Sequence, residues 1–281
     1  MNQKILILGS NGMLGHDLAK AFSDTNPILW DKSELDITDE EQVTLKLNEI
    51  KPTIVINAAA YTDVDGAENN ATLASKINGT AVGYLAKVCR EIGAILVHYS
   101  TEYVFSGTKS NGYRENDKTD PLNVYGRSKA RGEELLQKNS EMYYLIRSSW
   151  LYGQAPQAGK PRGLNFVQTM LKLAQAGEEI KVVNDQFGKP TYGRDLAQAS
   201  RRLIDEMKPC GIYHLVNEGL CSWYDFAKKV FEIKGIKANL SPVSSAEYNS
   251  ATPRPKYSVL INSKFELMRS WQEALEEYLL I

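Results

Sequence analysis

Short apolar segments alternate with longer amphipathic segments over the first 150 residues of the chain. Residues 4–8 (KILIL), 53–56 (TIVI) and 94–98 (AILVH) have the length and the continuous apolar character of strands buried in a parallel sheet. Further strands are predicted at 27–30 and 144–147. The segments between them carry apolar residues at helical spacing. This alternation predicts an α/β fold with a Rossmann-type doubly wound parallel sheet.

The pattern changes after residue 153. Residues 153–163 (GQAPQAGKPRG) are rich in glycine and proline, which is typical of a linker or a mobile flap. The remainder predicts a smaller, mixed α/β C-terminal domain, with helices at 165–176, 195–207 and 222–235, a short strand and turn at 181–191, and a strand at 211–216. The predicted division is 1–150 for the Rossmann domain, rejoined by about 182–210, and 151–181 with 211–281 for the second domain.

Three glycines stand at the first, fourth and seventh positions of the turn after the first strand: Gly9, Gly12 and Gly15. Such a turn bends the backbone sharply, lets it approach a pyrophosphate and lets the next helix pack closely on the strand. The anion then lies at the helix N-terminus, where free N–H groups and the helix dipole favour it. The spacing is not the common G-x-G-x-x-G, and a plain tight turn is the alternative. The position between strand and helix favours nucleotide binding.

Asp31 ends the second predicted strand, at the distance from the glycines where an acidic residue usually holds a ribose hydroxyl. Lys32 and Ser33 follow it and could instead serve a 2′-phosphate. The choice between NADH and NADPH therefore stays open. A solvated loop charge is the alternative role for Asp31.

Tyr125 and Lys129 stand four residues apart at the head of a predicted helix that runs through residue 138. On a helix, both side chains project from one face about one turn apart. A cation near a phenol favours the phenolate and lowers the pKa of the tyrosine, which makes Tyr125 a candidate proton donor. The spacing alone is weak, because tyrosine and lysine occur four apart by chance in many helices.

Thr101 follows the fourth predicted strand, and the carboxyl ends of parallel strands share one edge of the sheet. Thr101, Tyr125 and the glycine turn can therefore converge. Reduction of a carbonyl needs a hydride from a nicotinamide, a proton donor and a hydrogen-bond donor to the oxygen. We expect Tyr125 to donate the proton, Lys129 to lower its pKa and bind the nicotinamide ribose, and Thr101 to bond the substrate oxygen. A capping role is the alternative for Thr101.

Charge and composition narrow the classes of partner. The chain has 33 basic and 34 acidic residues and a net charge of −1, so there is no electrostatic case for nucleic acid or an anionic membrane. There is no signal-peptide pattern and no apolar run of membrane length, which predicts a cytoplasmic protein. His16, His98 and His214 lack the spacing of metal ligands, so no metal site is predicted. The three cysteines fit reduced thiols.

The glycine turn, the threonine after the fourth strand and Tyr-x-x-x-Lys together resemble the extended short-chain dehydrogenase/reductases. Six blocks are similar, more narrowly, to the dTDP-4-dehydrorhamnose reductase family, and they cover essentially the whole chain. They are INAAAYTDVDGAE (56–68), HYSTEYVFSG (98–107), PLNVYGRSKARGE (121–133), RSSWLYG (147–153), NDQFGKPT (184–191) and RPKYSVL (254–260).

The resemblance implies reduction of the 4-keto group of dTDP-4-dehydro-β-L-rhamnose to dTDP-L-rhamnose with NADPH or NADH, in the biosynthesis of nucleotide sugars and cell-surface polysaccharides. It implies an NAD(P)-binding Rossmann domain and a C-terminal domain that covers the dTDP-sugar. Some family members use Mg²⁺ at a carboxylate-lined dimer contact. This sequence lends no support to Mg²⁺, and a homodimer is an expectation from the resemblance.

The resemblance also implies site residues. The cofactor contacts are Gly9, Asn11, Gly12, Met13, Leu14, Gly15, Asp31, Asp36, Ile37, Ala60, Tyr61, Thr62, Tyr125 and Lys129. The substrate contacts are Thr101, Glu102, Trp150 and Arg254, of which the guanidinium of Arg254 suits a diphosphate. The family usually has aspartate where Glu102 stands, and often where Ser106 stands.

Two alternatives keep the same fold. One is a different nucleotide-sugar enzyme that epimerises or dehydrates, although dehydratases usually place an Asp-Glu pair beside the threonine, where this chain has Glu102 and Tyr103. The other is a non-catalytic NADP-binding subunit that resembles the β subunit of methionine adenosyltransferase. The presence of Thr101, Tyr125 and Lys129 favours catalysis.

Overall fold

The first strand shows why the sheet is covered on both faces. All four side chains of β1 (Ile5–Leu8) are buried. Ile5 and Ile7 belong to the hydrophobic cluster on one face of the sheet, and Leu6 and Leu8 belong to the cluster on the other face. Because side chains alternate along a strand, a continuous apolar run supplies both faces at once.

The computed structural model describes residues 3–157, 163–177 and 179–281. The linker or flap predicted at 153–163 falls partly on 158–162, which lie outside the described residues. The strands after β1 are β2 (Ile28–Trp30), β3 (Ile54–Asn57), β4 (Ile95–Thr101), β5 (Tyr143–Ser148), β6 (Leu151–Tyr152), β7 (Ile180–Val183), β8 (Phe187–Gly188), β9 (Thr191–Tyr192), β10 (Gly211–His214), β11 (Cys221–Ser222) and β12 (Leu240–Val243).

The helices follow the predicted alternation, and a π-helical segment, Lys76–Thr80, joins α4 to α5 without a break. They are α1 (Met13–Ala21), α2 (Glu40–Ile50), α3 (Val64–Asn69), α4 (Ala71–Ser75), α5 (Ala81–Ile92), α6 (Val124–Asn139), α7 (Phe166–Gln175), α8 (Gly193–Asp205), α9 (Trp223–Lys234), α10 (Ser245–Tyr248) and α11 (Trp271–Leu280).

The main sheet has six strands in the order β10-β5-β4-β3-β1-β2, and every neighbouring pair is parallel. This confirms the predicted doubly wound parallel sheet. The direction of winding reverses at β1, which lies between β2 and β3. In open α/β sheets the crevice at such a reversal, beyond the carboxyl ends of the strands, is where ligands bind.

The placement of the strand at residues 211–214 differs from the sequence prediction, which gave it to the C-terminal domain. β10 pairs with β5 and becomes an edge strand of the main sheet. The preceding helix, α8, packs its apolar side chains into the same core as α1. α8 is thus the crossover that brings β10 parallel to β5 and pairs the backbone groups that β5 would otherwise expose.

A second core lies outside this sheet and is rich in aromatic residues. Tyr152, Phe226 and Trp271 are among its buried members. Trp271 begins α11, a helix that was not predicted from the sequence. A capping box marks its start: the Ser270 side chain accepts from the Glu273 backbone N–H, and the Glu273 side chain accepts from the Ser270 backbone N–H. The C-terminal helix therefore completes this core.

Helix α6 approaches the π-helical segment very closely at a glycine. A Cβ atom on Gly132 would lie 2.1 Å from the Asn78 carbonyl oxygen. We predict that Gly132→Ala destabilises the protein by about 1–3 kcal/mol, because the two backbones must separate. Chemical denaturation measures this. Helix propensity alone predicts a gain of about 1 kcal/mol, and such a gain would contradict the packing argument.

Gly83 offers a matched control within α5. Its added Cβ would meet the Leu135 side chain at 3.3 Å rather than a backbone oxygen. Only a few tenths of an ångström of overlap must be relieved there, so Gly83→Ala should cost much less than Gly132→Ala.

Candidate active site

The turn after β1 has the geometry that the three glycines predicted. Gly9 has φ of +74°, and a Cβ there would lie 2.7 Å from the Ala59 backbone nitrogen. A Cβ on Gly15 would lie 2.1 Å from the Gly9 carbonyl oxygen, so the close packing of α1 on the turn requires glycine. Gly12 precedes α1, and no side chain caps that helix. The first-turn N–H groups therefore suit an anion.

Asp31 closes one end of this turn. Its carboxylate accepts from the Asn11 backbone N–H at 3.0 Å and from the Lys32 backbone N–H at 2.7 Å. The Glu34 carboxylate accepts from the Asp31 backbone N–H at 2.8 Å. Lys32 is turned toward Asp36, with 3.9 Å between the charged atoms. The carboxylates of Asp31 and Glu34 therefore lie at the end of β2, where they favour hydroxyl donors over a phosphate.

The segment after β3 is held by a residue that the sequence analysis missed. The Asn78 side chain accepts from the Tyr61 backbone N–H and donates to the Tyr61 carbonyl, both at 2.9 Å. It also donates to the Ser128 hydroxyl at 3.0 Å. Asn78 lies in the π-helical segment, a type of helical turn that is frequent at functional sites.

Tyr125 and Lys129 lie on one face of α6, as predicted. Asn123 caps the helix by accepting from the Gly126 backbone N–H at 2.8 Å. The buried ammonium of Lys129 donates to the Tyr99 carbonyl at 2.5 Å and lies 3.4 Å from His98 Nε2. His98 Nδ1 lies 3.1 Å from the Asn57 side-chain nitrogen. The lysine is thus tied to the end of β4 by backbone and imidazole.

The predicted effect of Lys129 on Tyr125 was wrong for this geometry. Burial raises the pKa of Tyr125 above its ordinary value, and the nearby Glu102 carboxylate raises it further, while a hydrogen-bonded contact with Thr101 opposes the rise. Burial also lowers the pKa of Lys129 to about 8, although Glu133 opposes that shift. Its ammonium is directed at Tyr99, so desolvation outweighs the expected attraction.

From the sequence, His98 was only excluded as a metal ligand and was given no role in the site. It is 1% exposed, and burial followed by the charge of Lys129 keeps its pKa well below the ordinary value. A neutral imidazole beside a lysine can accept a hydrogen bond from the ammonium. Its position two residues before the hydroxyl-rich end of β4 could have indicated that it lies near the site.

Thr101 and Glu102 form a buried pair. The Thr101 hydroxyl lies 2.6 Å from Glu102 Oε2, and the Tyr103 backbone N–H donates to Thr101 Oγ1 at 3.2 Å. Glu102 is 3% exposed, and burial raises the pKa of its carboxyl to about 7, against bonds from Thr101 and the Trp150 backbone. This acid therefore changes its protonation state near neutral pH.

Trp150 has an unusual backbone for a large residue, with φ of +48°. Its ring stacks on Trp223 with centroids 3.6 Å apart, and Phe166 lies 4.6 Å beyond Trp223. A Cβ on Gly188 would lie 2.5 Å from the Trp150 ring. A positive φ costs free energy, so the surroundings must hold this conformation. The result is an aromatic wall that crosses from the sheet to the second core.

Arg254 reaches this region from the irregular segment before the C-terminus. It donates to the Tyr103 hydroxyl at 2.9 Å and to both carboxylate oxygens of Asp65 at 2.8 and 2.9 Å. Although these bonds fix its position, the Arg254 guanidinium stays positively charged and can still bind an anion.

A single cleft of about 780 Å³ connects these groups. It is lined by Gly9, Gly12, Met13, Leu14, Gly15, Asp31, Asp36, Ile37, Ala60, Thr62, Thr101, Glu102, Tyr125, Lys129, Trp150 and Arg254 among the predicted residues. Asn11 and Tyr61 do not line it, and their backbone N–H groups instead bond Asp31 and Asn78.

Two hydroxyls in the cleft were not predicted. Ser100 and Ser148 line it, are at most 8% exposed, and have no hydrogen-bond partner within the described part of the chain. A buried hydroxyl without a partner costs free energy, so both are suited to a polar ligand group.

No group of three or more His, Cys, Asp or Glu residues in residues 3–157, 163–177 and 179–281 could hold a metal ion. No helix in those same ranges is long and apolar enough to cross a membrane.

The raised pKa of Glu102 has a consequence for stability. Folding raises it from 4.5 to about 7, so the folded protein binds this proton more tightly than the unfolded chain. The stability that this bound proton contributes is fully present below about pH 4.5 and is lost as the pH rises through 7. We predict that Glu102→Gln stabilises the protein at pH 8 by up to about 3 kcal/mol and gives no gain at pH 4.5, as measured by denaturation at both pH values.

Glu115 provides a control of opposite sign. Burial raises its pKa, but bonds from Ser263 outweigh burial and lower it overall. Glu115→Gln should therefore lose more stability at pH 8 than at pH 4.5. An equal gain for Glu102→Gln at both pH values would contradict the assignment.

Comparisons with known proteins agree over the whole chain. The family model described as the RmlD substrate binding domain matches residues 3–280. The spore coat polysaccharide biosynthesis protein SpsK of Bacillus subtilis (strain 168) is 42% identical over 282 residues, which cover 98% of this chain and 96% of SpsK. The dTDP-4-dehydrorhamnose reductase of Aggregatibacter actinomycetemcomitans is 39% identical over 292 residues, which cover 97% of each chain.

A solved structure shows the same agreement in three dimensions. The crystal structure of dTDP-4-dehydrorhamnose reductase from Bacillus anthracis strain Ames, in complex with NADP, superposes with a TM-score of 0.94 at 40% identity, covering 100% of this chain and 99% of the other. The chain therefore belongs to the dTDP-4-dehydrorhamnose reductase family.

Proposed function

We propose that this protein reduces the 4-keto group of dTDP-4-dehydro-β-L-rhamnose to dTDP-L-rhamnose with NADPH or NADH. One observation carries the proposal: a single cleft runs from the glycine turn, past Tyr125, Lys129 and Thr101, to an aromatic wall shared with the second core. Such a cleft can hold a dinucleotide and a nucleotide-linked sugar end to end. Relatives that bear the name of this activity match over nearly the full chain.

The residues of the turn fit a dinucleotide. Gly9 and Gly15 leave no room for side chains, and the uncapped N-terminus of α1 suits the pyrophosphate. Asp31 and Asp36 would accept from the adenosine ribose, and Met13, Leu14, Ile37 and Ala60 would pack against the rings. When bound, the reduced nicotinamide supplies the hydride.

The chemistry at the substrate oxygen belongs to α6 and β4. Tyr125 would donate the proton, and Lys129 would bind the nicotinamide ribose from its place beside Tyr99 and His98. The raised pKa of Tyr125 keeps the phenol protonated, so the proton is in place when the hydride is transferred. Ser148 lies beside Thr101 on the neighbouring strand β5. Its hydroxyl has no hydrogen-bond partner within the described chain and is therefore available to the same ligands.

The dTDP-sugar would lie between the two parts of the protein. Trp150 and Glu102 would contact the sugar, and Arg254 the diphosphate. We propose the division into an NAD(P)-binding domain, 1–150 rejoined by α8 and β10, and a substrate-binding domain built on the second core. A homodimer and a cytoplasmic location stay predictions, and a role for Mg²⁺ has no support from the sequence.

A coupled assay tests the proposed reaction. The 4-keto sugar is made with a 4,6-dehydratase and a 3,5-epimerase, and loss of NADPH and of NADH is followed at saturating sugar. We expect sugar-dependent oxidation and dTDP-L-rhamnose as product. Binding of NADPH with no oxidation would point instead to a non-catalytic subunit.

Tyr125→Phe should lower the rate of reduction by roughly 10²–10⁴-fold, because the substrate oxygen loses its proton donor. Binding of NADPH, followed by nicotinamide fluorescence, should be retained. Tyr103→Phe is the matched control, since that neighbouring ring is 5.6 Å away and its hydroxyl bonds Arg254. Near-normal turnover by Tyr125→Phe would rule out its proposed role.

Asp31→Asn should change the choice of cofactor. Its carboxylate repels a 2′-phosphate, and removing that charge should raise the ratio of kcat/KM for NADPH to that for NADH by about tenfold. Steady-state kinetics with both cofactors give the ratio. Glu40→Gln, an exposed change outside the cleft, should leave it unchanged. A ratio that moves toward NADH would contradict the placement of the adenosine ribose.

A further inference from the structure

The segment NDQFGKPT (184–191) contributes a buried side chain to the cleft that has no role in the reaction proposed above. Gln186, its third residue, lines the cleft and is 7% exposed. A carboxamide carries two N–H groups and a carbonyl oxygen, and buried polar groups need hydrogen-bond partners. The partners that the protein supplies to Gln186 therefore show which of these groups is left for a ligand.

Ser245 fixes the orientation of this carboxamide. Its hydroxyl donates to Asp185 Oδ1 at 2.6 Å, and its backbone N–H donates to the same carboxylate at 2.9 and 3.0 Å. Burial raises the pKa of Asp185, but the bonds from Ser245 outweigh burial and lower it, so Asp185 is a carboxylate that only accepts. The hydroxyl proton of Ser245 is therefore committed to Asp185, and Ser245 Oγ can only accept from Gln186.

The amide nitrogen of Gln186 must then face Ser245. Nε2 donates to Ser245 Oγ at 3.0 Å, and the reversed amide would set one acceptor against another. Within residues 3–157, 163–177 and 179–281, Ser245 is the hydrogen-bond partner of this side chain. Oε1 and the second N–H of Gln186 are thus left for a group in the cleft.

The cleft walls contributed by the second core suit a flat, uncharged ring. Val182 and Val183 of β7 shortly precede Gln186 and line the same cleft. Phe166 and Trp223 line it as well, with ring centroids 4.6 Å apart, and they pack in one cluster with Val182. Apolar and aromatic surfaces of this kind pack against the face of a base, and a few polar groups then fix its orientation.

We infer that Gln186 recognises the base of the nucleotide, with Oε1 accepting from the imide N3–H of a pyrimidine and the second N–H donating to a neighbouring carbonyl of that base. Thymine and uracil carry this N–H between two carbonyls, whereas N3 of cytosine has no proton. Ser245 and Asp185 are positioning residues, because they orient the amide without contacting the base. The inference rests on the proposed function, since it takes the ligand of the cleft to be a nucleotide-linked sugar.

Nucleotide binding tests this assignment without turnover. Isothermal titration calorimetry gives the Kd of dTDP, N3-methyl-dTDP and 3′-deoxy-dTDP for the protein with NADPH bound. Methylation removes the imide proton, and the 3′-deoxy analogue lacks the ribose hydroxyl, which is the other donor of the nucleoside. We expect N3-methyl-dTDP to bind roughly 10–100-fold more weakly than dTDP, and 3′-deoxy-dTDP to bind within about threefold of dTDP.

Variants separate the amide from the shape of the cleft. Gln186→Ala removes the acceptor and leaves room for a methyl group, so its affinities for dTDP and N3-methyl-dTDP should differ by less than about threefold. Ser245→Ala frees the amide to rotate and should lower the wild-type ratio to roughly 3–10-fold. Thr169→Val is the matched control: Thr169 lines the same cleft, but its hydroxyl donates to the Asn165 carbonyl at 2.8 Å, so the ratio should not change. Retained binding of NADPH shows that each variant is folded.

Three results would overturn the inference. They are equal wild-type affinity for dTDP and N3-methyl-dTDP, a Gln186→Ala protein that keeps the wild-type ratio, and a loss of affinity confined to 3′-deoxy-dTDP, which would assign Gln186 to the ribose. The proposed function fails by a different observation: nucleotide binding that depends on Gln186 as expected, in a protein that oxidises no NADPH with the keto sugar.

Discussion

The structure depends on how closely helix α6 approaches the ends of β4 and the π-helical segment. A Cβ on Gly126 would lie 2.3 Å from the Tyr103 carbonyl oxygen, and one on Gly132 would lie 2.1 Å from the Asn78 carbonyl oxygen. Two glycines six residues apart thus let the helix backbone rest on two other backbones. Tyr125 and Lys129 lie along this contact, so the same approach places the phenol in the cleft and the ammonium at the Tyr99 carbonyl.

The close approach of α6 also excludes water from the titratable side chains of the site, and this exclusion shifts their pKa values. Lys129, Glu102 and His98 are each at most 3% exposed. Desolvation moves each pKa toward the neutral form, which leaves Lys129 at about 8 and Glu102 at about 7. One turn further along α6, Glu133 meets Arg147 in a buried pair at 2.6 Å. The site is therefore a buried polar layer that is satisfied almost entirely by protein groups.

Much of this could be predicted from the sequence because the signals are local. Three local signals are the apolar run at β1, the glycines that follow it and the Tyr125–Lys129 spacing. Each predicts the element that contains it, and together they predict that these elements meet at one edge of the sheet. The direction of the Tyr125 pKa could not be predicted, because it depends on burial and on where Lys129 donates. Asn78 and His98 were missed for a related reason: their partners, Tyr61 and Asn57, are 17 and 41 residues away in the chain. The strand at 211–214 was misplaced because an edge strand is specified by its neighbour, β5, more than by its own pattern.

The most direct test of the central claim traces the hydrogen. The protein is incubated with dTDP-4-dehydro-β-L-rhamnose and NADPH that carries deuterium at the transferable position of the nicotinamide, and the product is examined by NMR. The structure predicts dTDP-L-rhamnose with one deuterium at C4 and the hydroxyl proton drawn from the protein and solvent. A product with deuterium at another carbon, or recovery of the unchanged keto sugar with intact NADPH, would contradict it.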